Sequence, residues 1–128
     1  GYLVCEPGLA AAIRSVSTPF GVNLPAQAAA AAALGEAELA RTAERSATIA
    51  AERDRVVAAL RAQGWEVPDS QGNFFWLGVG DETTALAEHF RAAGILVRPF
   101  DGEGVRISIG TTSDNERVLA AAASWLDR

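Results

Sequence analysis

The fold is decided by residues 95–110, which read ILVRPFDGEGVRISIG. Two apolar runs flank a loop that contains proline and glycine, and this pattern predicts a β-hairpin. Side chains alternate between the two faces of a strand, so Val105 and Ile107 share one face and Arg106 lies on the other. The hairpin therefore presents an arginine on the face opposite its apolar side chains.

A second arginine lies on the first strand of this hairpin. If the strands pair antiparallel, Arg98 and Arg106 both lie near the loop and can approach one anion together. Planar guanidinium groups bind carboxylate or phosphate through two hydrogen bonds. A second interpretation stays open for Arg106, because Asp101 or Glu103 in the adjoining loop can form a structural salt bridge with it.

Composition limits the class of protein. The chain has 128 residues, is 49% hydrophobic and carries a net charge of −5, with one cysteine, Cys5. This length supports one globular domain with its own core. The negative charge argues against nucleic acid and anionic membrane surfaces as partners. No apolar run approaches the ~20 residues of a membrane span and no signal peptide is recognisable, so we expect a cytoplasmic protein.

Two residue types are absent. The chain contains no methionine, and all 11 of its basic Lys/Arg residues are arginines. We therefore expect a chain that was processed or cut from a longer protein. Without lysine, chemistry that needs a side-chain amine, above all Schiff-base formation, cannot originate in this chain.

Periodicity predicts a two-layer α+β fold, in which a small, mainly antiparallel sheet carries helices on one face, plus a long N-terminal helix. Residues 1–35 are expected to be a separate segment with helices, and residues 36–128 to be the small α+β domain. A Ser-x-x-Glu capping box at Ser113–Glu116 is expected to begin the last helix. The predicted strands are residues 1–5, 65–67, 73–77 and the two hairpin strands, and the predicted helices are residues 9–16, 25–34, 36–63, 83–93 and one from Ser113 onward.

Other candidate groups have simpler interpretations. His89 has no cysteine or second histidine with which to bind a metal, so a surface helix position is expected. Asn73 is by default a turn residue before an aromatic strand, although it can also point into a cleft. The charged residues of the long helix, such as Glu52 and Arg53, are most simply a solvated face. No catalytic constellation is complete in this sequence.

Several motifs together resemble a known family. ILVRPF at residues 95–100, GVRISIG at residues 104–110 and Asn115-Glu116-Arg117 are similar to the C-terminal segment of histidinol-phosphate and aromatic amino-acid aminotransferases. These are fold-type I pyridoxal-phosphate enzymes. The resemblance implies that residues 1–35 are a segment from the large-domain side with the interdomain helix, and that residues 36–128 are the small C-terminal domain. Three further stretches support the resemblance, namely SQGNF at residues 70–74, PFGVN at residues 19–23 and Gly1-Tyr2.

The resemblance implies roles for three residues. Arg106 would bind the substrate's carboxylate, or the phosphate of histidinol phosphate, and Arg98 would reinforce it. Asn73 would line the cleft. The cofactor would be pyridoxal 5′-phosphate in the full-length enzyme, and none is expected on this fragment. The implied partners are a small amino-acid or amino-phosphate substrate, the missing large domain of the same protein and, for the full-length protein, a second copy in a homodimer.

Substrate and reaction type stay open within this resemblance. Trp76-Leu77 and Arg98-Pro99-Phe100 favour aromatic, phenylalanine-type members over histidinol-phosphate members. A related decarboxylase or lyase of the same fold also fits. From another class, a stand-alone regulatory module that binds an amino acid without chemistry is the alternative. The isolated chain is expected to be inactive as an enzyme.

Overall fold

The computed structural model describes residues 3–128. The chain forms two compact units, one ending at Arg41 and one spanning Thr42–Arg128. The described residues form five α-helices, three β-strands and a short 3-10 turn at Gly80–Glu82. The elements are α1 (Pro7–Val16), α2 (Leu24–Ala33), α3 (Glu36–Gln63), β1 (Phe74–Gly78), α4 (Thr83–Ala92), β2 (Arg98–Phe100), β3 (Gly104–Ser108) and α5 (Thr112–Leu126).

The first unit contains two short helices with clear start signals. Glu6 caps α1, which has Pro7 in its first turn, and the Asn23 side chain caps α2. The apolar side chains of α1 are not buried: Leu9 is 50% and Val16 is 85% exposed. Of the strand predicted over residues 1–5, positions 1 and 2 lie outside the described residues, and residues 3–5 are irregular.

The second unit is built on a three-stranded antiparallel sheet in the order β1-β3-β2. The predicted hairpin is confirmed as the pair β2 and β3, with a first strand shorter than expected. The predicted strand at residues 65–67 is wrong: Trp65 N–H donates to the carbonyl of Leu60, and the Arg61 guanidinium donates to the carbonyl of Val67. The polar backbone groups of this segment are thus bonded without a neighbouring strand.

One face of the sheet forms the core. Phe75 and Leu77 of β1 are fully buried, as is Val105 of β3, with Ile107 nearly so. The opposing helices complete the two-layer α+β fold that the sequence predicted. Their buried apolar residues are Val56, Val57 and Leu60 of α3, Leu86 and Phe90 of α4, and Val118, Leu119, Ala121, Ala122 and Trp125 of α5.

The last helix begins earlier than its predicted capping box. Thr111 is the N-cap, and its hydroxyl accepts a hydrogen bond from Asp114 N–H and donates one to the Asp114 carboxylate at 2.6 Å. Thr111 therefore caps the helix in place of Ser113, and the predicted N-cap is wrong by two residues. The hydrogen bond from Thr111 is the main cause that lowers the pKa of Asp114 below its ordinary value.

Part of the charged face of α3 is not solvated, contrary to expectation. Arg53 is only 8% exposed, and its guanidinium donates to the carbonyl of Gly72. The Glu52 carboxylate accepts hydrogen bonds from Arg55 and from the amide of the buried Asn115. These two residues join α3 to the loop before β1 and to α5.

Asn115 also fixes the chain where it leaves β3. Its amide donates to the carbonyl of Gly110, and its side-chain oxygen accepts from Gly110 N–H at 3.0 Å. Asn115 is 1% exposed, and both its side-chain oxygen and its side-chain nitrogen form hydrogen bonds, as buried polar groups usually do. His89, expected at the surface, is half-buried and its Nε2 contacts the carbonyl of Ala121 and the hydroxyl of Ser124.

Within residues 3–128, no helix combines the length and the apolar character that a membrane crossing requires.

Replacing Gly104 by alanine should destabilise the second unit by about 3 kcal/mol or more. An added Cβ would overlap the carbonyl oxygen of Leu77 and lie 2.8 Å from Cζ2 of Trp76. Chemical denaturation measures the loss. The matched control is Gly102→Ala in the loop just before β3, where φ is +74° and no atom lies within 4 Å, so only backbone strain of about 1–2 kcal/mol applies. Equal losses in the two variants would contradict the crowding at Gly104.

Glu52 should make the stability of the fold depend on pH in the acid range. Hydrogen bonds from Arg55 and then Asn115 lower the pKa of Glu52 from 4.5 to about 2. A lowered folded-state pKa means that the ionised form stabilises the fold above the unfolded-state value, and that this contribution is lost as pH falls toward 2. The stability gap between the parent chain and Glu52→Gln should therefore be constant above pH about 4.5 and narrow below it.

Unfolding midpoints measured between pH 2 and 7 test this expectation. Glu44→Gln, at an exposed position of the same helix, is the control and should follow the parent curve. A gap between parent and Glu52→Gln that does not change with pH would argue against a native interaction of the Glu52 carboxylate.

Candidate functional site

The candidate site is built on two arginines that face each other across the hairpin. Arg98 of β2 and Arg106 of β3 are directly opposed in the antiparallel register. Directly opposed residues have their Cβ atoms about 5 Å apart on the same face of the sheet. Val105 and Ile107 occupy the core face, so alternation directs Arg106 to the open face, as the sequence predicted. Arg98 is exposed and Arg106 is half-buried.

Neither arginine is bonded to a carboxylate. Within residues 3–128, none of the ion pairs involves Arg98 or Arg106. The alternative partners Asp101 and Glu103 do not form the local salt bridge with Arg106 that the sequence left open. The contribution of Glu103 is made by its backbone: its carbonyl accepts hydrogen bonds from the N–H groups of residues 79 and 80. Both guanidinium groups thus keep their charge available to an anion.

Aromatic rings, not the acids of the alternative interpretation, lie next to the two guanidinium groups. The central carbon of the Arg106 guanidinium lies 5.3 Å from the centroid of the Phe74 ring, and that of Arg98 lies 5.4 Å from the Phe100 ring. Both distances are within the ~6 Å range of cation–π attraction. The rings therefore stabilise the two cations without neutralising them.

The arginines border a cavity of about 440 Å³ between the hairpin and α5. Its charged lining consists of Arg98, Arg106 and Arg117 with one carboxylate, Asp114. Since Asp114 is ionised, the lining carries an excess of two positive charges. The remaining lining residues are Gly94, Ile95, Leu96, Val97, Ile107, Ser108, Gly110, Asn115 and Val118. A positively charged cavity of this size accommodates a small organic anion.

Arg117 differs from the other two arginines because it is engaged by the backbone. Its Nη2 donates to the carbonyl of Ala93 at 3.0 Å and lies 3.5 Å from that of Gly94, where α4 has ended. Cations are favourable at the C-terminal end of a helix. Arg117 thus joins α5 to the segment that leads into β2, and within residues 3–128 no ion pair involves the other two arginines of the lining, Arg98 and Arg106.

The third predicted site residue, Asn73, lies elsewhere. It precedes β1, its side chain is exposed, and its carbonyl accepts a hydrogen bond from Ile109 N–H. It lines a separate depression beside α3, together with Arg53 and Gly72. The structure places Arg98 and Arg106 directly opposite each other in the sheet. Their guanidinium groups lie against rings that pair with the two ends of β3, Phe100 with Gly104 and Phe74 with Ser108. Asn73 does not line the same cavity.

Two supporting residues were missed from sequence. Arg53 holds Gly72 next to Asn73, and Asn115 holds Gly110 at the end of the arginine-bearing strand. Neither has a local signal, because Arg53 lies in a run of charged helix residues and Asn115 in a helix start. The partner of Arg53 lies 19 residues away along the chain. The partner of Asn115, Gly110, is near in sequence, but the contact exists only because of the path that the chain takes from β3 into α5.

The residues present do not suit covalent attachment of pyridoxal phosphate. All 11 Lys/Arg residues of the chain are arginines, so it offers no side-chain amine for a Schiff base. Within residues 3–128 there is also no group of three or more histidine, cysteine or acidic residues placed to hold a metal ion. The chemistry that these residues support is binding of an anion.

Comparison with known proteins places this geometry in a family. Residues 1–122 match the family described as aminotransferase class I and II. The chain is 47% identical, over 129 aligned positions and 100% of its length, to an aromatic amino acid aminotransferase of Thermobifida fusca (strain YX), of which it covers 35%. It is also 47% identical over 126 positions, 98% of its length, to the aromatic amino acid aminotransferase of Streptomyces coelicolor, of which it covers 34%.

A solved structure supports the same relationship. A protein of Burkholderia pseudomallei K96243, provisionally described as an aminotransferase, superimposes with a TM-score of 0.76 at 32% identity, over 92% of this chain and 37% of that one. The chain thus spans about a third of the length of the curated relatives it matches. The match over residues 1–122, the identity to these relatives and the shared fold establish that this chain belongs to the class I and II aminotransferase family.

Proposed function

We propose that this chain is the C-terminal part of a pyridoxal-phosphate-dependent aminotransferase that acts on aromatic amino acids. In this proposal Arg106 and Arg98 bind the substrate's carboxylate. The observation that carries it is the direct opposition of these two arginines on an open sheet face, with neither of them ion-paired within residues 3–128. The aromatic substrate is suggested by the names of the relatives.

A carboxylate fits the donors of this pair. A guanidinium group presents N–H donors in a plane, and two such groups can bind both oxygens of one carboxylate. Arg106 comes from the central strand and is half-buried, so its hydrogen bonds are less exposed to competing water than those of Arg98. We therefore assign the main contact to Arg106 and a reinforcing contact to Arg98.

The cofactor and the amine that attaches it belong to other parts of the enzyme in this proposal. Pyridoxal phosphate supplies the chemistry that transfers the amino group, and this chain contributes the binding energy that orients the substrate. The large domain of the same protein and a second copy in a homodimer are the proposed partners. A contact of Asn73 with the substrate stays a prediction. Asn73 does not line the cavity that Arg98 and Arg106 border, but a separate depression beside α3.

Arg106→Gln in the full-length enzyme should reduce kcat/KM for phenylalanine by about 10- to 100-fold, because a hydrogen bond to a charged group contributes roughly 1.5–3 kcal/mol. Arg106→Lys should recover only part of this loss, since lysine keeps the charge and loses the planar pair of donors. Steady-state kinetics give kcat/KM of both variants and of the parent enzyme, with phenylalanine and with histidinol phosphate as substrates.

Arg91→Gln is the matched control, because Arg91 is an exposed arginine of α4 that pairs with Glu88. It should leave the kinetics unchanged. An unaltered kcat/KM in Arg106→Gln would remove the proposed carboxylate contact. A higher kcat/KM for histidinol phosphate than for phenylalanine would contradict the proposed aromatic substrate. It would leave the proposed anion site in place.

The isolated 128-residue chain should not bind pyridoxal phosphate covalently through a side chain. After incubation with the cofactor and reduction with borohydride, peptide mass spectrometry should find no pyridoxyl group on any side chain. The free α-amino group of the same chain serves as the internal positive control for trapping. A modified side chain, or transamination by the chain alone, would contradict the expected inactivity.

A further inference from the structure

We propose that Phe74 and Phe100 are positioning residues, which hold the guanidinium groups of Arg106 and Arg98 in place for the carboxylate. This inference rests on the proposed function and deepens it. Each ring lies within cation–π distance of one arginine, at 5.3 Å for Arg106 and 5.4 Å for Arg98. Each arginine therefore has its own aromatic support on the open face of the sheet.

An aromatic support has a specific advantage over an acidic one. A carboxylate would use the same in-plane N–H donors that the substrate needs, and it would cancel the charge. A ring interacts with a guanidinium through its π system and uses none of the in-plane N–H donors of the guanidinium. The arginines can thus be held in one orientation while their donors and charge stay available.

The Phe100 ring is itself held by a neighbour. The ring of Trp76 contacts it edge-to-face, with centroids 5.5 Å apart and planes at 61°. Trp76 lies on β1 and Phe100 on β2, so the two rings meet across the central strand β3. Gly104 is the β3 residue opposite Phe100, and a Cβ at Gly104 would lie 2.8 Å from Trp76 Cζ2. The absence of a side chain at Gly104 leaves room for the Trp76 ring beside Phe100.

The Phe74 ring is held by the loop before β1. A Cβ at Gly72 would lie 2.7 Å from Phe74 Cε1, so the ring packs closely against that glycine. Arg53 in turn donates to the carbonyl of Gly72 at 3.2 Å. Phe74 is 36% exposed, so its ring also borders the open face on which Arg106 lies.

Phe74→Leu and Phe100→Leu in the full-length enzyme test the role of the rings. Each variant keeps an apolar side chain and removes the π face, so each should raise the KM for phenylalanine and the Ki of 3-phenylpropionate by about two- to five-fold, with kcat little changed. Phe74→Tyr and Phe100→Tyr retain the ring and should restore the parent values. The neutral analogue 3-phenylpropanamide is the matched ligand, and its Ki should not respond to any of these changes.

The possible outcomes separate this inference from the proposed function. If Arg106→Gln weakens 3-phenylpropionate and both leucine variants do not, the positioning role is wrong and the carboxylate site stands. If the leucine variants weaken the carboxylate and the amide equally, the rings act as general packing and the positioning role is again wrong. If Arg106→Gln has no effect on the carboxylate, both the proposed function and this inference fail.

Discussion

The structure of the second unit depends on the register of its central strand. β3 pairs with β1 on one side and with β2 on the other, and its alternation buries Val105 and Ile107. A slip by one residue would move Arg106 into the core and expose both apolar side chains, so the register is strongly specified. The same pairing that forms the core therefore places Arg106 opposite Arg98. Site and core are consequences of one hydrogen-bonding pattern.

The open face of this sheet combines cations with aromatic rings. Arg98 and Arg106 lie over Phe100 and Phe74, and Trp76 supports the first of these rings. Exposed ion pairs elsewhere in the chain, such as that of Arg91 with Glu88, are of the ordinary surface kind and contribute little. The arginine pair differs from them because its surroundings stabilise charge and leave it uncompensated. That arrangement is the basis of the anion-binding role that we propose for the pair.

Polar contacts at the end of β3 connect the site to the helices. Asn115 bonds both backbone groups of Gly110 and the carboxylate of Glu52, and Glu52 is in turn bonded by Arg55. Removal of the buried Asn115 would take the partners from both backbone groups of Gly110 and one hydrogen bond from Glu52. The network thus fixes the path of the chain from the arginine-bearing strand into α5.

The sequence by itself determined the hairpin, the faces on which its side chains lie and the absence of a lysine. These features follow from local alternation and from composition, so they need no knowledge of distant contacts. The long helix Glu36–Gln63 and the α+β fold were also readable, because their apolar periodicity is sustained. The family resemblance was readable for the same reason, since its motifs lie in continuous stretches.

Only the tertiary structure decided which charged residues are solvated and which support the site. Arg53 and Glu52 share a run of charged helix positions, yet the loop at Gly72 and the buried Asn115 of α5 take up their side chains. The segment at residues 65–67 failed as a strand because Arg61 and the end of α3 bond its backbone. Partners that lie far apart along the chain leave no periodic signal. The contact of Arg106 with Phe74 arises because β1 pairs with β3, whereas Arg98 and Phe100 lie two residues apart on one strand.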